Sequence, residues 1–200
     1  MQRQEAKHRS RQRLLDAALE IVDESDVAGL TTTSITRRAG MTQSNFYVHF
    51  ASIDDLLGQL VDQVWEDFRS NNHRTREAAR DLPADDFLRT RFRSLVDGLI
   101  THPAVFRLVL RAQLDPSSAI GEDARAQMAT SRQNLAGALA ELGAAASTPS
   151  ERRKLDMVAA GLIAVKDTLA LSHLEGTYPD IDEIIEVLML FYTQMQRALT

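Results

Sequence analysis

A dense run of hydrogen-bonding side chains occurs near the start of the chain, at Gln43, Ser44, Asn45, Tyr47 and His49. The Gln side chain offers a donor and an acceptor in one plane, which matches the edge of an adenine base, whereas Ser is a less selective partner. Packing in a protein core does not need so many polar groups on one short segment. The residue types therefore favour recognition of a nucleic acid by direct hydrogen bonding.

A short helix is predicted immediately before this run. Thr31 is a good N-cap, because its hydroxyl can accept a backbone N–H of the first turn, and Ile35 and Ala39 lie one turn apart on a single face. Gly40 suits the left-handed residue that ends a helix at little cost. The sequence therefore predicts a sharp turn at Gly40.

A second short helix is predicted to carry the polar run itself. Thr42 can cap this helix, and Phe46 and Phe50 form its inward face at a spacing of one turn. Two short helices joined by a tight turn fit a helix-turn-helix, in which the second helix enters a DNA major groove.

That geometry assigns contacts to individual side chains. Gln43 and Ser44 lie at the N-terminal end of the second helix, which is the end that points at base edges. Thr33 and Arg37 on the first helix can add contacts to phosphates or bases. All four are therefore predicted to contact DNA.

A longer helix is predicted before this pair, from about Ser10 to Glu24, because apolar residues recur there at helical spacing. Three helices then form a small domain that ends near Phe50, so the predicted domains are residues 1–50 and 51–200. The predicted core of the first domain consists of Leu15, Ala18, Leu19, Val22, Leu30, Ile35, Ala39, Phe46 and Phe50.

Charge is distributed unevenly along the chain, whose net charge is −5. Residues 1–50 hold seven Lys/Arg against six Asp/Glu, and residues 51–200 hold sixteen against twenty-two. The first thirteen residues are strongly basic, with one acidic residue among Arg3, Lys7, Arg9, Arg11 and Arg13. Beside a helix-turn-helix this segment is interpreted as a basic arm that seeks phosphates, although a solvated, frayed terminus would have the same composition.

Four features of this region resemble the TetR family of transcriptional repressors. They are the Thr-rich start of the second helix at Thr31 to Thr33, the Ala39-Gly40 turn, the Phe-Tyr-x-His-Phe sequence at Phe46 to Phe50, and the acidic-Leu-Leu segment at Asp54 to Leu57. The resemblance covers about 50 residues. It implies a homodimer that binds a palindromic operator in double-stranded DNA and responds to a small molecule.

The resemblance also implies roles for three further side chains, because Asn45, Tyr47 and His49 match positions that reach phosphates in the family. One position departs from the family, which usually has a phosphate-binding Lys at the start of the fourth helix, where this chain has Ile53. A different interpretation of Tyr47 and His49, as a partly exposed pair on a core helix, requires no DNA.

The remaining chain is predicted to be entirely helical, because no alternating strand pattern occurs. Ser52 can cap a long fourth helix that closes at Pro83. The other predicted helices are Asp85 to Ile100, Val105 to Leu114, Ser117 to Leu142, Glu151 to Leu174 and Asp180 to Leu199. The predicted fold is therefore all-α, with an N-terminal three-helix helix-turn-helix domain followed by a helical ligand-binding and dimerisation domain.

Apolar residues surround the last predicted helix on all sides. A helix that is apolar all round is buried all round, and a second subunit supplies such burial most easily at the end of a chain. A monomeric core helix is the alternative. The predicted dimer interface consists of Leu162, Val165, Leu169, Ile184, Leu188 and Phe191.

Bulky apolar side chains of the middle helices could line a ligand cavity, although each could equally belong to an ordinary core. The segments YVHFASIDDL and HPAVFRLVLRAQ resemble the branch of the family that represses unsaturated fatty-acid synthesis and senses acyl thioesters. This resemblance implies an apolar effector, with fatty acyl-CoA as one class. The predicted pocket residues are Trp65, Phe68, Phe92, Phe106, Leu110 and Met128.

Other classes of function have little support in the sequence. The five histidines are not spaced as zinc or catalytic motifs, the chain has no cysteine, and no phosphate-binding glycine motif occurs, so we predict no enzyme, metal or cofactor. No apolar run approaches the roughly 20 residues that span a bilayer, so no membrane partner and a cytoplasmic location are predicted. The predicted function is a DNA-binding, ligand-responsive repressor; a helical scaffold without DNA and a small helical enzyme are the alternatives.

Overall fold

The computed structural model describes residues 2–115, 117–118, 120–141 and 146–199. Within these ranges the chain forms nine α-helices and one short 3-10 turn, and has no β-strand, so the predicted all-α fold is confirmed. The helices are α1 (Gln2–Ser25), α2 (Thr32–Ala39), α3 (Gln43–His49), α4 (Ile53–Ala78), α5 (Ala84–Ile100), α6 (Pro103–Leu114), α7 (Gly121–Glu141), α8 (Pro149–Leu174) and α9 (Ile181–Leu199), with the 3-10 turn at Val27–Gly29.

Helix α1 begins eight residues earlier than the apolar pattern predicts, at Gln2 instead of Ser10. The added residues are Gln, Arg, Glu, Ala and Lys with His and Arg, most of which are good helix formers, and no Gly or Pro interrupts them. The basic residues that the sequence analysis assigns to an arm therefore lie on helix α1. Leu142, the predicted end of the seventh helix, lies outside the described residues.

The chain divides into two compact units, and the first comprises residues 1–67 and 102–124. The predicted core of the three N-terminal helices is confirmed: eight of its nine residues are buried, and Leu19 is half-buried. Helix α6 belongs to the same unit and packs against α1, where the His102 Nδ1 lies 3.2 Å from the Asp23 carboxylate. The predicted division after residue 50 stays a prediction.

The second unit comprises residues 68–101 and 125–200, and its core lies among α5, α8 and α9. The rings of Phe92 and Tyr192 meet edge to face with centroids 6.1 Å apart. Ion pairs between Arg89 and Glu186 and between Arg93 and Asp182 join α5 to α9 at the surface. Exposed pairs of this kind contribute little to stability, so apolar packing holds the unit together.

Several polar groups are buried in this second unit. The Ser94 hydroxyl donates to the Asn72 side chain at 3.1 Å, and the Arg91 guanidinium donates to the Asn72 carbonyl at 2.6 Å. Burial lowers the pKa of Arg91, and the nearby positive charge of Arg76 lowers it further. On α8, the buried Lys166 ammonium contacts the carboxylate of Asp167 at 2.5 Å, so each charge has a partner.

Candidate nucleic-acid interface

The N-terminus of α2 is fixed by a capping box. The Thr31 hydroxyl accepts from the Ser34 N–H at 2.9 Å, and the Ser34 hydroxyl accepts from the Thr31 N–H at 2.9 Å. The Ser34 hydroxyl also lies 2.9 Å from the Gly29 carbonyl. The N-cap predicted at Thr31 is confirmed, and it holds the start of the helix against the preceding turn.

The turn after α2 depends on Gly40, which has φ 63° and ψ 40°. The Met41 N–H donates to the Thr36 carbonyl at 2.8 Å and the Gly40 N–H to the Arg37 carbonyl at 3.2 Å, which is the Schellman pattern. From α1, the Arg13 guanidinium donates to the Ala39 carbonyl at 2.5 Å. The turn is thus held both by its own backbone and by α1.

Helix α3 starts at the predicted cap, Thr42, whose hydroxyl accepts from the Asn45 N–H at 3.4 Å. Gln43 in its first turn donates from Nε2 to the Thr33 hydroxyl of α2 at 2.8 Å. Two predicted contact residues from different helices are therefore in direct contact. This bond fixes the orientation of the Gln43 amide while the side chain remains exposed.

The two sides of α3 differ sharply in burial. Phe46 is 0% exposed and packs against Phe50, with ring centroids 5.6 Å apart, whereas Tyr47 is 63% exposed. Val48 is also exposed, although the sequence gives it no predicted role. A large aromatic residue beside an exposed Val, at the surface of a well-packed domain, indicates a binding surface.

The remaining predicted residues also lie at the surface. Ser44 and Asn45 are exposed in the first turn of α3, and Arg37 is exposed in the last turn of α2. All seven predicted DNA-binding residues thus lie on two helices joined by one turn: Thr33, Arg37, Gln43, Ser44, Asn45, Tyr47 and His49. Their contact with DNA stays a prediction.

His49 ends α3 and is half-buried, with a buried Nδ1 that has no hydrogen-bond partner in the described part of the chain. Burial lowers the pKa of His49, and the positive charges of Lys7 and Arg11 lower it further. The imidazole is therefore neutral at neutral pH in the free protein.

A hydrogen-bonded chain that sequence analysis misses supports this surface from below. The Ala51 N–H donates to the Asp55 carboxylate at 2.8 Å, and Gln59 Nε2 donates to the same carboxylate at 2.7 Å. Gln59 Oε1 in turn accepts from Arg11 Nε at 3.0 Å. These residues are up to 48 positions apart, so no local pattern could have revealed the chain.

Arg38, another residue without a predicted role, joins α2 to α1. Its guanidinium contacts Glu24 at 2.6 Å and Glu20 at 3.1 Å. Hydrogen bonding to Arg38 lowers the pKa of Glu24. Arg38 therefore links α2 to α1 by ion pairs, whereas its neighbour Arg37 remains exposed in the last turn of α2.

The residues predicted for the dimer interface do not share one surface. Leu162, Ile184 and Leu188 are buried in the core of their own chain, and their role in a dimer interface stays a prediction. Val165 and Leu169 are partly buried against the same core. Phe191 is the predicted interface residue that is well exposed, and it lies at the edge of the buried side of α9.

The residues predicted for the ligand pocket are distributed over both units. Trp65 and Phe106 are buried and Leu110 is half-buried in the first unit. In the second, Phe92 is buried against Tyr192 and Met128 is half-buried.

The second-unit residue Phe68 packs closely on Gly98, where an added Cβ would lie 2.4 Å from the Phe68 ring. Close packing of this kind explains Phe68 and Phe92 as core residues. Their role toward a ligand stays a prediction.

Two further searches bear on the class of protein. The described residues contain no group of three or more His, Asp or Glu that could hold a metal ion. Helix α8 is long and apolar enough to cross a membrane by length and composition alone, a test that core helices of soluble proteins also pass. Here α8 packs against α5 and α9.

Comparison with known proteins supports the interpretation of the N-terminal helices. Residues 14–60 match the sequence model of the family described as bacterial regulatory proteins, tetR family. The matched segment contains α2 and α3 with their caps and the first turns of α4.

Solved structures share the fold along nearly the whole chain. A transcriptional regulator from Rhodococcus sp. is 18% identical with a TM-score of 0.76, covering 94% of this chain and 96% of its own. A TetR-family transcriptional regulator from Streptomyces coelicolor is 22% identical with a TM-score of 0.72 and 95% coverage of both chains. A proposed fatty acid metabolism regulator from Clostridium perfringens is 14% identical with a TM-score of 0.65, covering 90% of this chain and 96% of its own.

At these identities the structural likeness establishes the fold alone. The helix-turn-helix segment, residues 14–60, is similar to the bacterial regulatory proteins of the tetR family, and the chain shares the fold of solved transcriptional regulators.

Proposed function

We propose that this chain is a transcriptional regulator of the tetR family: a homodimeric repressor that binds a palindromic operator and is controlled by a small, largely apolar ligand. The observation that carries the proposal is the exposed surface of α3, where Tyr47 stands beside the Gln43 amide that Thr33 orients. A fixed amide at the N-terminal end of a recognition helix is suited to adenine, which presents a donor and an acceptor in the major groove.

Mobility shifts on the DNA upstream of its own gene test the DNA part. Gln43→Ala should relax the preference at one base pair per half-site, at a cost of about 1–3 kcal/mol. Tyr47→Ala should weaken binding to all sequences alike, because phosphate contacts position the protein without reading sequence. Unchanged affinity of Tyr47→Ala at low salt would place α3 outside the groove.

The dimer is proposed from the uncovered sides of α8 and α9. Only 22% of the most apolar stretch of α8 is buried within the chain, and Met157 is exposed on it. On α9, Leu190 and Phe191 are exposed. Small residues on α8, among them the exposed Gly161, would allow close helix packing. A two-fold pair of chains that covers these surfaces matches a palindromic site whose half-sites lie about 34–36 Å apart.

Sedimentation of two matched variants tests the interface. Phe191→Asp should yield monomer, because it places a charge on the proposed contact surface. Leu82→Asp is the control, since Leu82 and Phe191 are both 44% exposed but Leu82 lies between α4 and α5. If the Phe191→Asp variant is folded and still dimeric, α9 is not part of the interface.

The ligand is proposed on chemical grounds: buried apolar side chains of α4 to α8 outnumber the buried polar ones, and ligand pockets are mostly apolar. Fatty acyl-CoA is the first class to test, since one fold relative is described as a regulator of fatty acid metabolism. An effector acts by preferring one conformation, and typical couplings of about 1–3 kcal/mol change DNA affinity roughly 5- to 150-fold.

Calorimetry and mobility shifts with a panel of acyl-CoAs test the ligand. Leu110→Trp should reduce ligand binding and spare DNA affinity without ligand, because Leu110 is half-buried on α6 and is not one of the α2 and α3 residues proposed to contact DNA. If no acyl-CoA binds at micromolar concentration or alters the shift, the acyl class is wrong, and the proposed repressor does not depend on it.

A further inference from the structure

Charged groups from α1 converge on the end of the recognition helix. Lys7 and Arg11 lie one helical turn apart on α1, and both are close enough to His49 for their charges to act on it. The Arg11 guanidinium stands 5.8 Å from the centroid of the Phe50 ring, over the residue that follows His49. Three side chains able to hold a phosphate thus lie near one another at the C-terminal end of α3.

The position of Arg11 is fixed. Both Nε and Nη2 of Arg11 donate to the Gln59 side-chain oxygen, and Gln59 is held by the Asp55 carboxylate. Asp55 is occupied by the Ala51 N–H, and this bond is the largest cause of its lowered pKa. Asp55 therefore stays ionised, and its two oxygens accept from Ala51 and Gln59.

The protonation state of His49 follows from its surroundings. Adding a proton to the buried Nδ1 would create a donor without an acceptor, and burial together with the charges of Lys7 and Arg11 opposes the cation as well. In the neutral imidazole the proton then belongs on Nε2, which is the nitrogen left to donate. A His of this kind offers a hydrogen bond without a charge.

We propose that Lys7, Arg11 and His49 form one phosphate-binding site for the DNA backbone, in which the two α1 side chains supply the charge and His49 donates from Nε2 as a neutral group. The first turn of α4 has no cation to offer, because it consists of Ile53, Asp54 and Asp55. This assignment rests on the proposed DNA-binding function and adds α1 to the interface.

Binding of a fluorescein-labelled 30-base-pair duplex of random sequence tests the site, since phosphate contacts are independent of sequence. His49→Gln should keep affinity within about twofold at pH 7, because the Gln amide replaces the Nε2 donor; His49→Asn, whose amide falls short of that position, should weaken binding about tenfold. Neither change should alter the dependence of log K on log salt. Circular dichroism confirms that each variant is folded.

The charge is tested separately. Lys7→Gln should weaken binding and lower the salt slope by about one, as expected when one phosphate contact is lost. Arg80→Gln removes the same charge from the exposed turn after α4 and should leave the slope unchanged.

The proposal is overturned if His49→Gln lowers the slope by about one, which would show that His49 binds as a cation, or if Lys7→Gln and Arg80→Gln behave alike. Failure of the unaltered protein to bind any duplex at low salt would instead refute the proposed function.

Discussion

Gly40 allows the turn that orients α3, and we expect Gly40→Ala to destabilise the protein measurably. The residue has φ 63°, where an L-residue with a Cβ costs about 1–2 kcal/mol. An added Cβ would also lie 3.3 Å from Arg13 Nη2, which is bonded to the Ala39 carbonyl and has to move. For a chain of this size each kcal/mol corresponds to about 2–4 °C, so the melting temperature should fall by roughly 2–8 °C.

Scanning calorimetry of three variants separates the two causes. Gly176 also has positive φ, at 77°, but an added Cβ there meets no atom within 4 Å, so Gly176→Ala measures the backbone cost alone. Gly40→Asn should lose less than Gly40→Ala, because Asn tolerates the left-handed region better. If Gly40→Ala and Gly176→Ala lower the melting temperature equally, the contact with Arg13 contributes nothing to the loss. An unchanged melting temperature for Gly40→Ala would refute the left-handed turn.

Three further variants test packing, helix formation and pH dependence. Phe46→Ala should lower the free energy of unfolding in urea by about 3–5 kcal/mol, because it empties the centre of the helix-turn-helix core. Gly137→Ala should raise the free energy of unfolding by about 0.5–1 kcal/mol, since nothing lies within 4 Å of the new Cβ. Gly161→Ala has the same free space within one chain, but its free energy of unfolding should rise less if a partner covers α8. Arg38→Gln should lower the melting temperature at neutral pH, and this difference should disappear in acid. The folded pKa of Glu24 is lowered, so its stabilising contribution is present above the unfolded pKa and lost as pH falls through the folded pKa.

The helix-turn-helix was predictable because its signals are local. Thr31, Gly40 and Thr42 each act on backbone groups within three to five residues, so their types specify the caps and the turn directly. The inward side of α3 follows equally from Phe46 and Phe50, since a single helical turn relates them.

The buried side of α9 could not be predicted in the same way. Leu188 and Phe191 are both apolar and three residues apart, yet one is fully buried and the other exposed. When a helix is apolar on all sides, its sequence pattern cannot show which side packs within the chain and which side stays exposed. The start of α1 escaped prediction for the opposite reason: its charged residues form a helix without any apolar period to reveal it.

Helix α1 carries its basic residues on an ordered backbone from Gln2 onward, which changes the thermodynamics of encounter with DNA. A disordered arm extends the distance over which a protein captures its target, but each residue that becomes ordered on binding costs about 1–2 kcal/mol of conformational entropy. Residues 2–9 have already lost that freedom during folding. Binding of this ordered helix to DNA should therefore cost less conformational entropy than binding of a disordered arm of equal charge. In return, the helix reaches DNA over a shorter distance.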